Sequence, residues 1–191
     1  GMHRSGTSLI ASFIHHSGID LGDEFVKAKP SNPYGHYEDV EVLEFQRNIL
    51  LREFGHSMWV PEPPRLTEED RIQARQLIQS RQSKSRWGWK EPRTCLFLDF
   101  WSNLLPESHC LFVVRHPLLV LDSLGRRTRT KFYHFWKHNR FLQEWLVYNM
   151  ECLRFYQQNR SRCLLVMLDH VLQEPERFAT LLTERHRLTF D

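Results

Sequence analysis

Gly1 and Gly6 stand in the frame G-x-x-x-x-G, and Ser8 follows two positions later. Glycines at that spacing let successive backbone N–H groups turn inward around an anion. The helix that follows adds the positive end of its dipole. This is the frame of a phosphate-binding loop, G-x-x-x-x-G-K-[ST], with one change: position 7 is Thr7, not lysine. The ammonium that would reach the β- and γ-phosphates of a nucleoside triphosphate is missing, while Arg4 puts a guanidinium inside the loop. Such a loop suits a tetrahedral oxyanion better than a triphosphate with Mg²⁺. A second cluster lies far along the chain. Arg115 closes the run "LFVVR", and Ser123 follows eight positions later, behind Pro117. An arginine at the carboxyl end of a strand offers a fork to a phosphate, and a nearby hydroxyl adds a donor.

These residues need elements to hold them. "TSLIASFIHHS" reads as a short apolar helix stopped by Gly18, and "IDLG" as a brief extended piece. "KAKPSNPYGHYED" is a proline- and glycine-bearing loop. Val40, Leu43, Ile49, Leu50 and Phe54 fall at helical spacing over Asp39 to Phe54. "VPEPPR" breaks the chain before a helix started by Thr67, with Asp70 three residues on. "RWGWK" is strand-like, and "TCLFLDFWSNLL" is helical up to Pro106. "HCLFVVR" and "RCLLVML" are continuous β-rich runs, the pattern of buried parallel strands. Pro117 suits a first helical position, a long helix is expected over His138 to Gln157, and "EPERFATLLTERH" closes the chain as a helix. Strands alternating with helices predict one α/β domain over residues 1–191 with a parallel sheet.

Composition narrows the classes. At 191 residues and 41% hydrophobic, the chain can build a real core. A net charge of +3 fits anionic ligands without arguing for nucleic acid. Cys95, Cys110, Cys152 and Cys163 form no C-x-x-C pair, which argues against zinc or a redox motif and for free core thiols. No run nears the ~20 apolar residues of a membrane span, so no transmembrane segment is expected and a cytoplasmic location is. His134 and His138 stand at i, i+4, but no third metal ligand accompanies them and no metal site is expected. "GRRTRTKFYHFWKHNR", Gly125 to Arg140, interleaves basic and aromatic residues. That pattern suits single-stranded nucleic acid, an anionic glycan or a segment gating a site. Trp145 reads as packing, and Trp136 is the better candidate for a sugar platform.

Taken together, "RSGTS" and Arg115…Ser123 resemble the elements of sulfotransferases that use 3′-phosphoadenosine-5′-phosphosulfate (PAPS). In that family an R-[KSG]-G-T segment holds the 5′-phosphosulfate and an R-x7-S element holds the 3′-phosphate. "WGWKEPRT" is similar to the K-[DE]-P strand of bacterial and protein-tyrosine sulfotransferases, and "NPYGHYED" to the N-P-x-G-[YH]-x-E segment of the bacterial branch. The four segments occur in family order, from Gly1 to about Glu176.

The resemblance implies a P-loop (nucleoside triphosphate hydrolase-like) three-layer α/β fold with a central parallel sheet flanked by helices. PAPS is the implied donor, with no metal. The implied donor site is Arg4, Ser5, Gly6, Thr7 and Ser8 with Arg115 and Ser123; the implied catalytic groups are Arg4, Lys90 and Glu38. Cations aimed at the bridging oxygen stabilise charge that grows as the S–O bond breaks. Glu38 is the expected base for the acceptor hydroxyl, ahead of His36, with His3 as an acceptor-side donor. Asp39 beside it, like Glu38 itself, also suits a helix start. The acceptor is a small molecule, glycan or lipid hydroxyl or amine, with tyrosine peptides open as well. The family also places a strand before the loop and a basic closing loop near the end, so trimming at both ends is expected. Two rivals stand beside this reading. One is a nucleotide kinase, kept alive by Asp169 after "LLVML" and opposed by the missing lysine. The other is an inactive module that binds PAPS or its product.

Overall fold

The computed structural model describes residues 1–27, 35–58, 60–128 and 133–186. Among them, β1 (Cys110–Val114) and β2 (Cys163–Met167) form a parallel pair, Cys110 opposite Cys163 and Val114 opposite Met167. Helices α1 (Thr7–His16), α2 (Val40–Phe54), α3 (Glu68–Gln79), α4 (Leu98–Leu104), α5 (Pro117–Thr128), α6 (Tyr133–Gln158), α7 (Leu168–Gln173) and α8 (Pro175–His186) surround it. The fold is therefore mixed α/β with a small parallel sheet flanked by helices. The larger central sheet of a three-layer fold is not seen among these residues: the sheet has two strands.

Both strands are covered on both faces, as their continuous apolar runs predict. Val113 and Val166 pack with Ile10 of α1 and with Val171, Phe178 and Leu182 of α7 and α8. Phe112 and Cys163 join the larger core, built on Phe45, Ile49, Phe97, Trp101, Tyr148 and Phe155.

Local signals set most helix ends. Thr67 and Asp70 form a reciprocal capping box at α3, and Asp39 caps α2 through its carboxylate and the Val42 N–H, 2.9 Å. Gly55, at φ 72°, ends α2 in the left-handed region. One expectation needs correction: "RWGWK" is not a strand, since Trp87 makes only an isolated parallel bridge to Asp20. "TCLFLDFWSNLL" is helical as expected but in two parts, a 3₁₀ turn, Pro92–Phe97, and then α4. The reason is local: Glu91 accepts the Arg93 N–H at 2.7 Å and Pro92 fixes the first position, so the chain tightens before it can settle into α geometry. Helix α6 starts earlier than His138, and α7 follows β2 directly. Residues 32–34 of "NPYGHYED", the side chains of His134, Trp136 and His138, and part of the 125–140 basic stretch lie outside what the structure describes. No described helix is long and apolar enough to cross a membrane.

One long-range contact anchors the start of α2. Arg81 donates to Asp39 and Glu41, both at 2.7 Å, and to the Leu77 carbonyl at 2.8 Å. The Asp39 and Arg81 side chains are 2% and 7% exposed, so each is the other's main compensation for lost water. Gly22, at φ 128°, makes room: a Cβ there would fall 2.4 Å from an Asp39 carboxylate oxygen. Replacing Asp39 by Ala removes a cap and leaves the Arg81 charge half-compensated. We expect Asp39→Ala to lose about 3 kcal/mol in urea unfolding, and Asp39→Asn, which keeps an acceptor for Val42, to lose clearly less. Equal stability of Asp39→Ala and the parent chain would remove this pair from the list of anchors.

Candidate functional site

The loop before α1 is held by its own backbone. Ser5 N–H donates to the Met2 carbonyl at 3.3 Å, and Ile10 N–H to the Gly6 carbonyl at 3.2 Å. Gly6, at φ 83°, is the residue before α1, and its side-chain-free start leaves the helix with no side-chain cap. The first-turn N–H groups of Thr7 and Ser8 are thus not claimed by a capping side chain. Arg4 also takes a positive φ, 66°, a conformation that costs a non-glycine residue on the order of 1 kcal/mol. That turn aims its side chain at α5: Arg4 Nε donates to Ser123 Oγ at 2.9 Å. It also turns the Arg4 carbonyl towards β1, where Arg115 Nη1 donates to it at 3.3 Å.

Arg115 stands just past the carboxyl end of β1, and its own carbonyl accepts the Trp145 indole N–H at 3.1 Å. Trp145 is thus a positioning residue for Arg115 as well as a packing one. Two donors at this junction are buried without a hydrogen-bond partner among the described residues: Arg115 Nε and Ser5 Oγ. Ser5 is 0% exposed. Buried donors left unmade cost about 1–3 kcal/mol each, and both of these lie beside the uncapped helix start, where an acceptor oxygen could meet them.

The other half of the site centres on Lys90. Its ammonium donates to Glu38 Oε1 at 2.7 Å, the His36 carbonyl at 3.1 Å and Ser8 Oγ at 3.3 Å. The Lys90 and Glu38 side chains are only 12% and 11% exposed. Burial pushes the Lys90 ammonium below its ordinary pKa, with Glu38 pulling the other way. Glu38 is fixed from behind: Val26 N–H donates to its carbonyl at 3.0 Å, and Asp39, the next residue, is clamped by Arg81. Lys90 is fixed by Gly88 N–H, which donates to the Asp20 carbonyl at 2.9 Å.

The nine residues singled out from the sequence therefore occupy one linked neighbourhood. Arg4, Ser123 and Arg115 are joined by hydrogen bonds. Ser8, Lys90 and Glu38 are joined by others. Ser5, Gly6 and Thr7 lie on the backbone between the two groups. Of the rivals to Glu38, His36 gives its carbonyl to Lys90, and the His3 ring stands 6.1 Å from the Tyr148 ring. Among the described residues no three His, Cys, Asp or Glu side chains converge as metal ligands.

Sequence reasoning missed Glu91 and Arg93. Glu91 is fully buried, accepts from the Arg93 backbone N–H and pairs with its guanidinium, while Arg93 Nε holds the Ser57 carbonyl at 3.0 Å. The signal was present as an acid between Lys90 and Pro92, but only the fold shows how deep it goes. Burial pushes the Glu91 carboxyl up to about 7, against the pull of Arg93. Unfolded, it ionises near 4.5, so the folded chain holds this proton more tightly. That contribution to stability is full below pH 4.5 and is lost as the pH rises through 7. Across that window the parent chain should lose up to about 3 kcal/mol relative to Glu91→Gln in urea unfolding. Parallel pH profiles for the two proteins would show that Glu91 ionises normally.

The chain matches no family model, no curated protein and no solved structure.

Proposed function

We propose that the protein is a PAPS-dependent sulfotransferase, and that Arg4, Ser5, Gly6, Thr7, Ser8, Arg115 and Ser123 hold the donor. The observation that carries this reading is the Arg4 Nε–Ser123 Oγ hydrogen bond, with Arg115 on the Arg4 carbonyl. It joins two segments more than a hundred residues apart, both chosen for phosphate chemistry. The buried, unpartnered Ser5 Oγ and Arg115 Nε fit a ligand that brings acceptor oxygens. The absence of a lysine at position 7 fits a donor with no β- and γ-phosphates.

When bound, the donor supplies a sulfuryl group on a phosphate leaving group. The transfer breaks the S–O bond to that phosphate and makes a new one to the acceptor: ROH and PAPS give the sulfate ester, adenosine 3′,5′-bisphosphate and a proton. Glu38 takes the proton from the acceptor hydroxyl. Arg4 and Lys90 place fixed positive charge where the leaving oxygen gains negative charge. All three donors of the Lys90 ammonium are engaged, so it must exchange one of them to serve that oxygen. The Glu38 contact is the one whose release would also free the base, which couples the cation and the base in one event. A three-layer P-loop architecture and a small-molecule, glycan or lipid acceptor belong to the same proposal.

Calorimetry tests the donor half. Adenosine 3′,5′-bisphosphate should bind better than AMP, and Arg115→Ala should erase that preference at a cost of about 1.5–3 kcal/mol. Equal affinity of the parent chain for the two nucleotides would end the reading. A screen of hydroxyl acceptors with labelled donor tests the chemical half. Glu38→Gln should keep nucleotide affinity and lose turnover by about 10²–10⁴-fold. A near-parental single-turnover rate would pass the base role to His36 or to water.

A further inference from the structure

Two thiols far apart in the chain meet in the larger core. Cys95 lies in the 3₁₀ turn Pro92–Phe97, and Cys152 lies on α6. They are 57 positions apart, and Cys152 Sγ donates to Cys95 Sγ at 3.2 Å. Both are free thiols in this structure. Cys95 is 3% exposed and Cys152 0%, in one cluster with Phe97, Tyr148 and Phe155. A close-packed core of this kind holds side chains in single rotamers, so the two sulfurs face each other and no other group. A disulfide brings its sulfurs to about 2.05 Å, so a shared approach of about 1 Å would close this pair.

The two thiols are not equivalent. The hydrogen bond from Cys152 favours the thiolate on Cys95, and giving that bond holds the Cys152 proton in place. Cys95 is therefore the nucleophile and Cys152 the resolving thiol. A small peroxide is the oxidant that suits a buried pair, since a bulky disulfide such as oxidised glutathione must wait for the chain to open. The Cys95 thiolate attacks one peroxide oxygen. The O–O bond breaks, the other oxygen leaves with the Cys95 proton as water, and Cys95 becomes a sulfenic acid. The Cys152 sulfur then attacks that sulfur. The S–O bond breaks, and the oxygen leaves with the Cys152 proton as a second water. The two thiols give up two electrons and the peroxide takes them. With the resolving sulfur already in contact, the second step competes well against further oxidation of Cys95.

We propose that Cys95 and Cys152 are a redox pair, which a peroxide closes in the folded chain into a disulfide that clamps the 3₁₀ turn to α6. The turn starts from Glu91, next to Lys90, and α6 carries Trp145, whose indole holds the Arg115 carbonyl. The clamp thus joins the elements behind the two halves of the candidate site. It also closes a loop of 57 positions and so restricts the unfolded chain. The pair does not depend on the sulfotransferase reading, and its test uses no nucleotide.

The test treats the folded parent chain with hydrogen peroxide, blocks the remaining thiols with N-ethylmaleimide in denaturant and maps the peptides by mass. The peptides bearing Cys95 and Cys152 should be joined and two hydrogens lighter. Tm should rise by roughly 5–15 °C and fall back on addition of dithiothreitol. Cys152→Ser should give neither the link nor the rise, and its Cys95, with no resolving thiol, should go on to sulfinic acid. The mapping on the parent chain stands whether or not that variant folds. Cys110 and Cys163, opposite each other across the sheet, are the internal comparison. A link formed only between those two would overturn the proposal. So would a Cys95–Cys152 link that leaves Tm unchanged, or two free thiols at positions 95 and 152 after a peroxide dose that fully oxidises a small thiol in the same solution.

Discussion

A buried ammonium must be surrounded by acceptors, and the way Lys90 meets that demand organises the site. Its three partners come from α1, from the backbone at His36 and from the Glu38 carboxylate. Each must arrive at a fixed place, and each is held from behind. Ser8 rides on the first turn of α1. Glu38 is braced by Val26 and, through Asp39, by Arg81 at the end of α3. Lys90 itself sits between the Asp20–Gly88 backbone contact and the Glu91–Arg93 pair. Loss of any one brace leaves a charge about nine-tenths buried with a partner missing, which is far costlier than the loss of a surface pair. The packing of α2 and α3 thus reaches the site through electrostatics rather than through direct contact.

The loop answers a second demand, that one short segment serve two distant groups. Arg4 does this by adopting a conformation unusual for its type. Its positive φ sends the carbonyl to Arg115 and the side chain to Ser123. Two hydrogen bonds offset the backbone cost. A lysine here would lose the planar fork that holds Ser123 through Nε. The same segment therefore ties α5 and the end of β1 to the start of α1, the place where the uncapped N–H groups gather.

How much of this was legible in the sequence divides along the reach of the signal. The caps at Thr67 and Asp39, the apolar runs of β1 and β2 and the loop frame are local patterns, and they lie where the sequence puts them. The apolar pattern of "TCLFLDFW" announces a helix but not that it opens as a 3₁₀ turn, because that geometry is decided by the Glu91 side chain, which reaches forward two residues to the Arg93 N–H. "RWGWK" has strand composition but only an isolated bridge to one neighbour, and pairing is what makes a strand. Asp39–Arg81 and Lys90–Glu38 join residues 42 and 52 positions apart, and no periodicity announces such pairs. The loop frame and Arg115…Ser123 were singled out by residue type and spacing, and Lys90 and Glu38 by resemblance; the bracing of these residues was announced by neither.

Charge explains why Glu91 can sit so near this site without disabling it. A carboxylate beside Lys90 would cancel part of the positive potential on which any anion depends. Burial answers this by raising the Glu91 carboxyl to about 7, so that near neutrality much of it carries no charge. Where the proton stays on Glu91, Lys90 faces one buried carboxylate, Glu38, rather than two. Arg93 remains hydrogen-bonded either way, since a protonated carboxyl still accepts through its other oxygen. Arg4, Lys90 and Arg115 then outnumber Glu38 around the loop. That surplus of positive charge is a physical requirement for holding a ligand with several anionic oxygens, and it follows from where Glu91 is buried as much as from which cations are present.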